Sequence, residues 1–178
     1  MRLFTGLSLP YEVRRNLELL LQHLKPLAEI HWSPPENLHV TTKFIGDWPE
    51  ERLEELKTLL ADLPKPAPFR MAVNGLGWFP NPHHPKVFFA GIQAEAGLLE
   101  LARATDAAVP VEPEKREYRP HLTLARIKTP VDLAAMKRAI AELPAVDFGR
   151  VEVKKFNLYR SEAGPRASRY SVLAEFPL

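Results

Sequence analysis

The sequence predicts an α+β fold of two related lobes, and three observations carry that prediction. The 178-residue chain repeats itself once, at a period of about 80 to 85 residues. Each half reads strand, helix, strand, helix, strand in its hydrophobic pattern. Each half also places one His-x-Thr sequence at the same point of that pattern: His39-Val40-Thr41 and His121-Leu122-Thr123. Two copies at so long a period are too few for a solenoid. They point instead to two lobes facing one another across a pseudo-twofold axis.

The halves open on Leu3-Phe4-Thr5-Gly6-Leu7 and, 85 positions later, on Phe88-Phe89-Ala90-Gly91-Ile92, both β-prone runs. Leu17, Leu20, Leu21 and Leu24, spaced i, i+3, i+4, i+7, mark the apolar stripe of the first helix; Leu98, Leu101, Ala102 and Thr105 repeat that spacing more weakly. Extended, proline-containing connections follow (Trp32-Ser33-Pro34-Pro35; Val109-Pro110 to Arg119-Pro120) and lead into the His-x-Thr strands. Pro49 and Pro130 then suit the first turn of a helix, and Thr129 with Asp132 has the spacing of a capping box with Asp in place of Glu. Leu53, Leu56, Leu59 and Leu60, then Leu133, Met136, Ala139 and Ile140, form the apolar stripes of these second helices. A strand closes each unit, Phe69 to Val73 and Phe148 to Val153. Only Arg169 to Phe176 lacks a counterpart.

Composition narrows the class. With 46% hydrophobic and 26% charged residues the chain has the make-up of a globular protein. No apolar run approaches the ~20 residues of a membrane span, and Met1-Arg2-Leu3-Phe4 leads into strand-like sequence instead of a signal peptide. No cysteine is present, so no disulfide framework or thiolate nucleophile is expected, and the cytoplasm is the expected compartment. A net charge of +2 permits a phosphate-bearing ligand but is far from the footprint of a protein that coats duplex DNA. The eight glycines are scattered and form no phosphate-cradling loop, which argues against an ATP-dependent ligase.

The two motifs carry the chemistry. Side chains two apart on a strand point the same way, so each motif aims one imidazole and one hydroxyl at a common side while Val40, Leu122 and Leu124 point into a core. With six His and seven Thr in the chain, chance gives about 0.2 His-x-Thr pairs; two at matching places of a repeat are a specific signal. Paired imidazoles suit a phosphate ester, because a group with a pKa of ~6.5 can take or give a proton near neutral pH. Thr41 and Thr123 would donate hydrogen bonds to non-bridging phosphate oxygens as their charge grows. A hydroxyl does this without adding a positive charge beside the imidazole. A zinc site on His39 and His121 would need a third ligand that the motif faces do not supply. The His83-His84 pair sits in a proline-bracketed turn with no carboxylate at ligand spacing, so a solvent-exposed loop is expected there. No metal and no other cofactor is expected.

Both motifs and their flanks resemble the 2H phosphoesterases, specifically the bacterial and archaeal RNA 2′,3′-cyclic phosphodiesterases, historically called 2′-5′ RNA ligases. The likeness runs through Arg2 to Pro10, His39-Val40-Thr41-Thr42 with Phe44-Ile45-Gly46, Arg119-Pro120-His121-Leu122-Thr123-Leu124-Ala125-Arg126, Leu158-Tyr159-Arg160-Ser161, Tyr170 and Phe176-Pro177-Leu178. It implies one domain over residues 1–178 made of two interleaved lobes with one motif each, their antiparallel sheets lining a V-shaped cleft and helices outside. It also implies metal-independent hydrolysis of a terminal 2′,3′-cyclic phosphate to a 2′-phosphomonoester, with weak reverse 2′-5′ ligation. His39 would be the proton donor and His121 the proton acceptor, an assignment that comes with the resemblance, since the residues alone do not break the symmetry. Expected partners are RNA ends or small cyclic-phosphate nucleotides, with no membrane and no obligate protein partner, the protein acting as a monomer.

Two other readings stand beside this one. The substrate is a small cyclic nucleotide or a 2′-5′ oligonucleotide, or the protein is a non-catalytic module that binds RNA ends. The paired histidines favour an enzyme over the module, because arginine grips phosphate better than imidazole does. Further binding residues are expected around the cleft. Alternation sends Lys43 to the side of Thr41, where it would meet RNA phosphate, although a solvated lysine at a strand end is the plainer expectation. Arg126 is one residue out of phase with Thr123, hence off the cleft unless the strand ends there. Arg160, close to Arg166 and Arg169, belongs to a basic loop that flanks the cleft mouth or simply forms a charged hairpin tip. Tyr118, Trp32 and Tyr159 are candidate platforms for stacking a terminal base, with a place in the core as the alternative for each.

Overall fold

Alternating apolar residues along the β-prone runs build two antiparallel sheets, and the leucine-striped helices cover their outer faces. The computed structural model describes residues 1–178. In chain order its elements are β1 (Arg2–Leu7), α1 (Tyr11–Leu24), β2 (His31–Trp32), β3 (Val40–Asp47), α2 (Leu53–Asp62), β4 (Phe69–Phe79), β5 (Val87–Ala94), α3 (Gly97–Ala108), β6 (His121–Arg126), α4 (Ala134–Ala141), β7 (Asp147–Val153), β8 (Lys155–Glu162) and β9 (Arg169–Pro177). The first sheet runs β3-β1-β8-β9 and the second β2-β6-β5-β4-β7. Each motif segment lies against its own half's opening strand, β3 on β1 and β6 on β5. No helix is long and apolar enough to cross a membrane.

The repeat is less literal than the sequence suggests. β4 and β7, which hold equivalent places in the two halves, pair with each other in the second sheet, Met71 opposite Val151. Beside β1, the place that β4 takes beside β5 is filled by β8, and β9 completes that sheet. Two of these pairings are local, β4 folding onto β5 and β8 forming a hairpin with β9, whereas the one-residue step from Val153 to Lys155 carries the chain from the second sheet into the first. Register also shifts the repeat. Leu7 faces Val40 and Ala90 faces Leu122, which equates Leu7 with Ala90 and not with Ile92. The difference is two residues, so every side chain keeps its face.

Helices tie the lobes together. α1 buries Val13, Leu17, Leu20, Leu21 and Leu24, each side chain contributing roughly 1.5–3 kcal/mol relative to exposure. It packs on β7 of the second sheet, although it follows a strand of the first. Gly149 (φ +120°) makes room there, since a Cβ would lie 3.1 Å from Val13 Cγ2, and the Asn16 amide donates to the Phe148 carbonyl (3.0 Å). Conversely α3, which follows a strand of the second sheet, packs on β3 of the first. One apolar cluster runs through both lobes and contains Leu7, Val40, Phe88, Leu122 and Leu124. α4 starts at Ala134, later than Pro130 predicts. Leu133 stands at the N-cap position without a side-chain capping bond, and just ahead of it Asp132 Oδ1 accepts the Ala134 N–H (2.9 Å) in a local turn.

Candidate active site

Both motif strands carry a β-bulge immediately after the threonine. In β3, Thr41 faces Gly6 and Lys43 faces Thr5, leaving Thr42 as the extra residue. In β6, Thr123 faces Phe89 and Ala125 faces Phe88, leaving Leu124 extra. A bulge resets the alternation of side chains. Thr42 and Lys43 therefore turn inward, as do Leu124 and Ala125, while Phe44 and Arg126 return to the face of the threonines. Phe44 stands 59% exposed there, opposite Phe4, and Arg126 stands opposite Val87.

These bulges bear on two expectations. Lys43 is not on the cleft side. It is buried, its Nζ 2.7 Å from Asp106 Oδ1 and 3.5 Å from Glu114 Oε1, and it also donates to the Glu112 carbonyl (3.4 Å). An ammonium so enclosed does not meet substrate. Arg126, a binding candidate that alternation alone puts off the cleft unless the strand ends there, is the last residue of β6 and lies on the threonine face.

The two histidines share one geometry. His39 Nδ1 donates to the carbonyl of Asn37 (2.6 Å) and His121 Nδ1 to the carbonyl of Arg119 (2.8 Å), in each case the residue two before it. A backbone carbonyl only accepts, so each Nδ1 carries a proton and Nε2 is left as the nitrogen that gains or loses one. His39 Nε2 meets Thr41 Oγ1 at 2.8 Å. Gly6 lets the ring lie close to β1, because a Cβ there would sit 2.8 Å from the Val40 carbonyl and 3.4 Å from His39 Cδ2.

Aromatic rings wall both sites. His39 lies among Phe4 (4.8 Å between centroids), Tyr170 (5.3 Å) and Tyr159 (5.8 Å). His121 lies against Phe79 (5.0 Å) and Phe89 (5.7 Å), themselves stacked at 4.2 Å. Burial pushes the His39 pKa below its usual value; the Asn37 carbonyl opposes this, while the charges of Arg126 and His121 add to it. Groups from both lobes thus act on one imidazole. β3 and β6, although in different sheets, approach within 8 Å.

Tyr118 holds them there. Its hydroxyl donates to the Thr41 carbonyl (2.8 Å), and burial raises its pKa far above the ordinary phenol value. It is a tie between lobes instead of a free stacking platform. Trp32 packs edge-on against Phe88 (6.2 Å) with its indole N–H on the Ala28 carbonyl. Tyr159 is buried, stacked on Phe4 at 4.9 Å. Arg160 faces Leu3 while its neighbour Tyr159 faces Phe4, so Arg160 points away from the His39 side and pairs with Glu162 at 3.4 Å. The His83-His84 turn is exposed, both backbone amides donating to Asn81 Oδ1. Nowhere do three His, Asp or Glu side chains converge as metal ligands would.

Sequence reasoning gave no role to Phe4, Phe44, Phe79, Phe89 or Asn37. Phe4 and Phe89 had a signal, since both stand in the opening strands that flank the motifs. Asn37 had none: its carbonyl serves His39 while its amide donates to the Ser168 carbonyl (2.6 Å) before β9.

The LigT-like phosphoesterase family model matches this chain over residues 7–89 and again over residues 91–170. The chain belongs to the LigT-like phosphoesterases. The double match follows the internal repeat, one copy for each half of this phosphoesterase. Its relatives include an RNA 2′,3′-cyclic phosphodiesterase of Thermus thermophilus, 37% identical over 100% of this chain and 90% of the relative. Another of that name, from Methanothermobacter thermautotrophicus, is 32% identical over 99% of this chain and 98% of its own length. Among solved structures, TT0787 of Thermus thermophilus superposes with a TM-score of 0.83 at 35% identity, covering 100% of this chain and 98% of that one. LigT of E. coli complexed with 3′-AMP has the same fold (TM-score 0.81, 24% identity, covering 99% and 97%).

Proposed function

We propose that this phosphoesterase opens 2′,3′-cyclic phosphates at RNA ends, leaving a 2′-phosphomonoester, with His39 as acid and His121 as base. The matched hydrogen bonding of the two imidazoles carries the reading: each is fixed at Nδ1 by a carbonyl and frees Nε2 for proton transfer. Water loses a proton to neutral His121 Nε2 as its oxygen attacks phosphorus. The bond from phosphorus to O3′ breaks, and O3′ takes the proton from His39 Nε2. The products are the 2′-phosphate and a free 3′-hydroxyl. Each transfer is worth ~10²–10⁴-fold. Run backwards, the same steps permit weak 2′-5′ ligation.

The threonine of the first motif fits this cycle. While His39 is neutral its Nε2 accepts from the Thr41 O–H across 2.8 Å; once Nε2 is protonated its N–H is left for O3′ and the Thr41 O–H turns to a non-bridging phosphate oxygen. An arriving phosphodiester anion also supplies the counter-charge that a buried imidazolium lacks, so substrate binding raises the lowered pKa of His39 and loads the acid. Arg126, on the cleft face, contributes a phosphate contact.

A substrate with sulfur at the 3′ bridging position tests the roles, because a departing thiolate needs no proton. His39→Ala loses ~10²–10⁴-fold on the oxygen substrate and regains most of it on the sulfur one. His121→Ala is impaired on both. Rescue of His121→Ala instead reverses the assignment, and full activity of either variant on the oxygen substrate removes acid-base catalysis by this pair.

A further inference from the structure

The catalytic face of the second sheet does not end at His121. β5 alternates without a bulge, so Phe89, Gly91 and Gln93 share one face; Phe89 and Gly91 face Thr123 and His121 across the ladder. Gln93 faces Ala72, which faces Arg150, and Arg70 lies two residues further along β4. Arg70, Ala72, Gln93 and Arg150 border an open cavity of about 650 Å³, with Asn74 also in its wall. From Gly91 the cavity wall at Arg150 is two residues along and two strands across. That is ~12 Å at ~3.3 Å per residue and ~4.8 Å per strand. Three to four stacked nucleotides at ~3.4 Å each cover this span.

The chemistry of the wall is that of a single-stranded nucleic-acid subsite. Arg70 and Arg150 are exposed, and neither guanidinium is held in an ion pair. Two of the three bordering carboxylates are turned to backbone: Glu95 Oε1 accepts the Arg70 N–H (2.6 Å) and Asp147 Oδ1 the Gly149 N–H (3.1 Å). The amides of Asn74 and Gln93, with Glu152, offer donors and acceptors for base edges, while free arginines take phosphate.

We propose that this cavity binds the RNA chain upstream of the cyclic end, Arg70 and Arg150 each taking a backbone phosphate. The proposal rests on the phosphodiesterase reading for its substrate but is tested by binding, independently of turnover. Fluorescence anisotropy compares a labelled five-nucleotide RNA ending in a 2′-phosphate with a labelled nucleoside 2′-monophosphate. Native protein is expected to hold the longer ligand at least tenfold more tightly. Arg70→Ala with Arg150→Ala brings that ratio towards one and flattens the salt dependence of Kd for the longer ligand, its far-UV circular dichroism showing an intact fold. Equal affinity for both ligands in the native protein, or an undiminished ratio in the double variant, overturns the proposal. Failure of the native protein to hydrolyse the same five-nucleotide RNA ending in a 2′,3′-cyclic phosphate overturns the catalytic reading and leaves the affinity ratio to decide the subsite.

Discussion

Removing the carboxylate of Asp106 is expected to harm the protein more than removing the lysine it serves. Lys43 is 1% exposed, and its best partner is Asp106 Oδ1 at 2.7 Å. Asp106→Ala leaves a buried ammonium with the Glu112 carbonyl at 3.4 Å and the half-exposed Glu114 at 3.5 Å. Breaking a buried pair from one side costs ~3–5 kcal/mol, and the remaining partners reduce that to about 2–4 kcal/mol. Lys43→Met keeps the volume and removes the charge. It leaves Asp106, 29% exposed, on water and on the Glu114 N–H (3.2 Å), at a cost of about 1 kcal/mol or less. Urea titrations of both single variants and the double variant measure this, and the double variant is expected to be more stable than Asp106→Ala alone. In thermal unfolding each 1 kcal/mol corresponds to about 2–4 °C for a chain of this size. Equal or smaller destabilisation by Asp106→Ala than by Lys43→Met refutes the claim that burial of the ammonium sets the energetics. Turnover reports the same contact, because the clamp fixes the connection carrying Tyr118 and His121 against the strand carrying Thr41. Asp106→Ala is expected to lower kcat as well as stability.

Gly6→Ala pushes a methyl into the Val40 carbonyl and the His39 ring; about 1–3 kcal/mol of destabilisation is expected from overpacking. Turnover should fall at least tenfold by the same displacement, and wild-type kcat in this variant contradicts the ring placement. The lowered pKa of His39 has a signature in stability. Between its folded value and ~6.5 the unfolded chain binds a proton that the folded one does not, so stability is retained above ~6.5 and declines as pH falls through that window. Denaturant midpoints of His39→Gln, measured from pH 7 downwards, are expected to decline less steeply than those of the native protein.

Much of the fold was legible in the sequence because its signals are local. The leucine spacing of α1 and α3, the β-prone openings and the two motifs each sit within a few residues, and all appear where periodicity puts them. What escaped depends on register. Strand alternation places Lys43 beside Thr41, and only the ladder against β1 reveals the extra residue that turns it inward. The same holds for Arg126 against β5. Partner choice was equally hidden: nothing in Phe69 to Val73 or Phe148 to Val153 says that they pair with each other. Asn37 was missed because its contribution is a backbone carbonyl, which every residue type possesses.

A repeat alone produces two equivalent imidazoles, yet acid-base hydrolysis needs two different ones, so the useful part of this architecture is where the halves disagree. The matched bulges make the disagreement readable. They bring residue 44 of the first motif and residue 126 of the second to equivalent places, and those places hold Phe44 and Arg126. One half contributes an exposed apolar ring, 6.3 Å from Phe4, and the other a fixed positive charge. His39, within three aromatic rings and across from Arg126, meets both burial and repulsion when it is protonated. An anionic phosphate between the lobes relieves both at once. Under the proposed acid and base roles, the proton on His39 is therefore held most firmly when substrate is present, and the asymmetry that would divide those roles is built from the residues that the duplicated pattern does not share.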